Sequence, residues 1–107
     1  MDQIVDVTIT APDADWLADF CRGLVTDRLA ASGNIIAGVR SIYRWQDRIE
    51  DATEARVTLH TRAALVSAIV ARTLAEHPYE VPHVLALPVV DANPAYRQWV
   101  LDATAPG

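Results

Sequence analysis

The chain has 107 residues, 51% of them hydrophobic, with 14 acidic against 9 basic residues and a formal net charge of −5. That size and apolar content describe one domain with a sizeable core and exclude a disordered chain. The acidic balance excludes the positive footprint of a nucleic-acid binder and the polybasic stretch that favours anionic lipid, and no apolar run reaches the ~20 residues of a membrane-spanning helix.

Residues 3–10 alternate. Val5, Val7 and Ile9 share one face and Asp6, Thr8 and Thr10 the other, which predicts a strand. Asp13, after the break at Ala11-Pro12, is placed to cap a helix reaching to about Ala31, with Leu17, Phe20, Cys21, Leu24, Val25 and Leu29 as its apolar stripe. Residues 34–45 and 48–61 are rich in β-branched and aromatic residues. They predict a hairpin of unusually long arms around a two-residue turn, Gln46-Asp47. Thr61 is placed to cap a second helix over 62–76, with Leu65, Val66, Ile69, Val70 and Leu74 on its apolar side. Residues 84–90 are continuously apolar and predict a strand buried on both faces. Asn93 and Pro94 open a last helix bearing Tyr96, Trp99 and Val100, and the tail from Ala103 to Gly107 is expected to fray.

Between the second helix and the last strand runs His77-Pro78-Tyr79-Glu80-Val81-Pro82-His83. Proline lacks an N–H and pushes the residue before it toward extended geometry, so the helix ends near Glu76 and a stiff connector follows. This connector carries more polar chemistry than a connection requires. The order strand, helix, strand, strand, helix, strand, helix predicts an α+β domain over residues 1–107: a ferredoxin-like βαββαβ sandwich with an extended hairpin and an extra C-terminal helix. Both main helices would lie on one sheet face. The bare face and the long hairpin edges call for a cover, which another subunit would supply.

Thr10-Ala11-Pro12-Asp13, Asn34-Ile35, Ser41-Ile42-Tyr43-Arg44-Trp45, Thr61, the His77–Pro82 run and Asn93-Pro94-Ala95-Tyr96 follow one another in an order and spacing that resembles the CutA family of divalent-cation tolerance proteins. The resemblance covers nearly the whole chain. It implies a ferredoxin-like fold, a tight homotrimer resembling the PII signalling proteins, and a link to tolerance of copper and other divalent ions. Some positions depart from the family pattern. Ile9 and Ser32 stand where the family often has cysteine, His60 where lysine is usual and His83 where an acidic residue is common. Gln46-Asp47 replaces an acidic-glycine turn and Arg48 a lysine. The missing thiols weaken a copper site built on thiolate.

Candidate metal ligands are Cys21, His60, His77, His83, Glu54 and Glu80, none at a recognised ligand spacing. The single cysteine, Cys21, falls in an apolar stripe and reads as structural. His77 and His83 flank the connector with Glu80 between them, and they are the first candidates for copper or another divalent cation; no cofactor is expected to be required. For His77 the structural reading, a side chain that satisfies the end of its helix, stands ahead of the metal one. Tyr43, Trp45, Glu54, His60, Tyr79 and Glu80 form a second constellation, which in a trimer would converge in clefts between subunits and take a small ligand. The alternative for Tyr43 and Trp45 is interface packing. There is no catalytic triad motif, phosphate-cradling glycine loop or dinucleotide fingerprint, so the chain is not read as an enzyme. Two readings follow: a metal-responsive trimer with intersubunit clefts, or a PII-like scaffold for a small ligand or protein partner. The lone cysteine and the absence of a basic or apolar leader after Met1 predict a cytoplasmic setting.

Overall fold

The computed structural model describes residues 2–106. Met1 and Gly107, the last residue of the tail expected to fray, lie outside them. The strands are β1 (Ile4–Ala11), β2 (Ser32–Trp45), β3 (Arg48–Arg62) and β4 (Val84–Pro88); the helices are α1 (Ala14–Thr26), α2 (Val66–Glu76) and α3 (Pro94–Ala103). They form one antiparallel sheet in the order β2-β3-β1-β4, the βαββαβ arrangement expected, with α3 appended.

The alternation of β1 decides which face is covered. Val5, Val7 and Ile9 meet Val57 and Leu59 of β3 beneath Leu17, Phe20, Cys21 and Leu24 of α1 and Ile69 of α2. Asp13 caps α1 as expected, its Oδ1 accepting the Asp15 N–H at 3.0 Å. The helix ends at Thr26, five residues short of the expected Ala31, because Arg28 takes a left-handed φ of 60°. That residue reverses the chain, and the Leu29 N–H closes on the Leu24 carbonyl at 2.9 Å. Leu29 continues the apolar spacing but reaches the core from the turn.

Thr61 does not cap the second helix. Its hydroxyl is buried and donates to the Leu29 carbonyl at 2.7 Å, Arg62 still belongs to β3, and a single 3₁₀ turn (Ala63–Leu65) leads into α2. Leu74, expected in the apolar stripe, is exposed, and Thr73 takes the buried position beside Ile69. The expectation that the last strand is buried on both faces also fails for the single chain. Among the described residues β4 is an edge strand paired only with β1, and Leu85 and Leu87 are more than half exposed. In the tail, Thr104 is buried, donates to the Val100 carbonyl at 2.8 Å and accepts from Arg62 Nε at 2.9 Å, and the Ala105 N–H donates to the Asp102 carbonyl at 3.3 Å.

The hairpin turns at Gln46-Asp47, whose φ values of 50° and 63° both lie in the left-handed region. Positive φ at both central positions is the type I′ pattern that matches strand twist, here without glycine. Midway along β2, Ile36 pairs with Arg56 but Val39 pairs with Glu54, so one extra residue bulges out. Gly38, with φ of 76°, supplies the backbone conformation. The bulge shifts the alternation of β2 by one. Beyond it, Ser41, Tyr43 and Trp45 come to the face that Glu54 occupies, opposite the helices.

Candidate functional site

The connector wraps the end of β1 and closes over that shifted part of β2, leaving a cavity of about 680 Å³. Its walls include Tyr43, Trp45, Glu54, Tyr79, Glu80 and His83. His77 holds the connector down. It is buried at the end of α2; its Nδ1 accepts the Tyr79 N–H at 3.0 Å, which leaves the proton on Nε2 to donate to the Thr10 carbonyl at 2.7 Å. β1 pairs with β4 only as far as Ile9, so Thr10 sits where that ladder has stopped. Trp16 of α1 meets the His77 ring edge-on at 5.2 Å and stacks on Phe20 at 5.0 Å.

Tyr79 lies against His77, ring centroids 5.1 Å apart, and its hydroxyl donates to Glu54 Oε2 at 3.0 Å. Burial pushes the Tyr79 phenol up to about 12, helped by the hydrogen bond to Glu54 and the negative charge beside it. Glu54 itself is only 6% exposed. His83 places Nε2 2.9 Å from Thr8 Oγ1, and burial lowers its pKa, with Arg56 adding and Glu54 opposing.

Of the six residues expected in one cleft, five line it and His60 does not. His60 shares a strand face with Glu54, but six residues at ~3.4 Å each set them about 20 Å apart along β3. His60 instead contacts Asp6 (3.7 Å from Nε2), Tyr96 Oη (2.7 Å from Nδ1) and Ser32 Oγ (3.1 Å from Nδ1), where α3 covers the end of the sheet. The expected metal pair is also not assembled: both ring nitrogens of His77 are committed to backbone groups, which leaves His83 alone. Trp16 escaped the sequence reading, though its spacing of four from Phe20 is a signal that the two stack along α1.

A family profile described as "CutA1 divalent ion tolerance protein" matches residues 5–103. The chain belongs to that family. Among relatives of the CutA1 family, a "Protein CutA homolog" of Xenopus laevis is 40% identical over 94 residues, covering 88% of this chain and 62% of that protein. The "Divalent-cation tolerance protein CutA" of Thermus thermophilus is 36% identical over 98 residues, covering 92% of this chain and 95% of that one. The chain thus spans between half and two thirds of its vertebrate relatives, such as the 54% of mouse "Protein CutA", and nearly all of the bacterial one. Solved structures of CutA1 from Ehrlichia chaffeensis (TM-score 0.92, 31% identical, 99% of each chain) and from Thermus thermophilus (TM-score 0.90, 34% identical, 98% of this chain and 100% of that one) share the fold.

A divalent ion is what the CutA1 family description names, but the described residues do not assemble a site for one within a single chain. Among the described residues no group of three His, Cys, Asp or Glu side chains converges. Cys21 is sealed in the core, where burial pushes its thiol up against the opposing charge of Arg22.

Proposed function

We propose that this chain serves tolerance of divalent metal ions as a non-catalytic, homotrimeric binding protein of the cytoplasm, with the connector cleft at the subunit boundary as a site for a small ligand, separate from any metal site. Membership of the CutA1 family over residues 5–103 carries the reading. The trimer is supported by the uncovered sheet face and hairpin, where Ile36, Ile42, Ile49, Leu85 and Leu87 are each at least half exposed in one chain. A buried free thiol suits a reducing compartment. Copper is the ion to test first. Its ligands would be imidazole and carboxylate, because Cys21 is inaccessible.

The direct test is growth of a strain lacking this gene in elevated copper, zinc and cadmium, with and without the parent chain restored. Sensitivity that the parent chain relieves supports the reading; growth indistinguishable from wild type overturns it. A second reading, a PII-like scaffold binding a small ligand or protein partner with metal incidental, is favoured by the absence of a three-ligand cluster among the described residues. Calorimetric titration with copper(I), copper(II) and zinc separates the two. Saturable, stoichiometric binding that chelation reverses belongs to the first and its absence to the second.

A further inference from the structure

Glu54 is a nearly buried carboxylate without a cation. None of the ion pairs among the described residues includes it. One oxygen accepts from Tyr79; the other, Oε1, has no protein donor among the described residues, yet it is not sealed from solvent. A carboxylate taken out of water needs a positive partner or several donors, and one phenol is a weak substitute. The position is held deliberately: the chain from Trp16 through His77 and Tyr79 ends on this carboxylate.

What surrounds Glu54 narrows the partner that would complete it. Tyr43, Trp45 and Tyr79 stand around the same cavity, where Pro78, Val81 and Pro82 extend the apolar wall and Thr10, Ser41, Arg44, Glu80 and His83 supply the polar one. Aromatic faces and a carboxylate both attract positive charge and both disfavour an anion. A metal ion would need at least three N, O or S ligands, and the described residues of one chain do not bring three together. Neither Arg44, on the cavity wall, nor Arg56, two residues along β3 on the same face, makes an ion pair with Glu54 among the described residues, and burial favours the neutral form of His83. The volume of about 680 Å³ is that of a small-molecule site.

We propose that the cleft binds a small organic cation, an ammonium group on an apolar body, with the Glu54 carboxylate as counter-ion and Tyr43, Trp45 and Tyr79 as aromatic walls. This names the ligand class of the cleft and rests on the reading of that cleft as a binding site.

The test is an NMR titration of the intact protein at neutral pH with benzylamine and its uncharged counterpart benzyl alcohol. It is read at the Trp45 indole N–H, which Trp45→Leu identifies by its loss. Benzylamine should bind saturably and about tenfold or more tighter than the alcohol, the size expected of a desolvated cation–π and charge contact. Glu54→Gln keeps an oxygen for the Tyr79 hydroxyl and should abolish that preference. Should that variant fail to fold, Trp45→Leu at an exposed position should weaken benzylamine and not the alcohol, read then by calorimetry. Equal affinity for both compounds overturns the cation inference and leaves the cleft as a binding site for apolar bodies. Binding of neither overturns both. Benzylamine ignored while Glu54→Gln lowers the mass in light scattering would mean that an arginine of a second copy fills the role, and would overturn the inference. Glu54-dependent binding of zinc chloride alone would overturn it in favour of a metal.

Discussion

Replacing His77 with Leu tests whether the connector is positioned by one buried imidazole. The substitution keeps an apolar body of similar size against Trp16 and removes both ring nitrogens. The Thr10 carbonyl loses a 2.7 Å donor and the Tyr79 N–H a 3.0 Å acceptor. Each bond is worth about 1 kcal/mol, and a group stranded away from water costs about 1–3 kcal/mol. Thr10 is 9% exposed and stays dry, whereas Tyr79, 36% exposed, regains water at its amide. The expected loss is therefore about 2–4 kcal/mol, a large part of the ~5–15 kcal/mol that holds a domain together. Urea unfolding reads it, at one fixed protein concentration because association would shift the midpoint. The second readout is phenol absorbance. In the parent, burial and Glu54 push the Tyr79 phenol up to about 12; with the connector released it should return toward the ordinary value of 10.0. A loss below about 0.5 kcal/mol, the size of an ordinary surface substitution, together with a Tyr79 phenol unmoved from its parent value, would refute the claim that His77 positions the cleft.

Gly33→Ala should cost about 1–3 kcal/mol or more by overpacking. Its Cβ would overlap Cys21 Sγ and lie 3.0 Å from Val57 Cγ2 and 3.1 Å from Leu59 Cδ2. Adding Cys21→Ala removes the worst overlap and should recover much of that loss, which a double-mutant cycle in urea measures. On acidification below the ordinary histidine value of 6.5, stability should fall. His83 has a lowered folded pKa, so the unfolded chain takes up the proton first and folding weakens as pH drops. His83→Gln should remove that part of the slope in a pH series of urea midpoints. Light scattering should return about three times the 11.7 kDa chain, and Leu85→Asp, on the exposed edge strand, should reduce that mass; a parent that remains monomeric at micromolar concentration refutes the trimer.

Helix caps and strand alternation were legible in the sequence because both are written in neighbouring residues. Asp13 and Asn93 each accept an N–H two positions on, and the faces of β1 follow from a period of two that nothing interrupts. The aromatic and acidic members of the cleft were also visible as residue types on a stiff connector and a long arm. Their assembly was not. A hydroxyl looks the same in sequence whether it caps the next turn or, like Thr61, reaches back to Leu29 across 32 positions, because the choice depends on which carbonyl the sheet brings within hydrogen-bonding reach. Alternation assigned Glu54 and His60 to one face without saying how far apart along the strand the site would lie. It carried no sign that the Gly38 bulge hands Tyr43 and Trp45 to that face. His77 offered two ring nitrogens to a metal in the sequence, and only the folded chain brings the Thr10 carbonyl and the Tyr79 amide against both. Local conformation is settled by steric and hydrogen-bonding preferences within a turn of the chain. Which distant groups share a hydrogen bond, and therefore which side chains are left to bind anything else, is settled by strand register and packing.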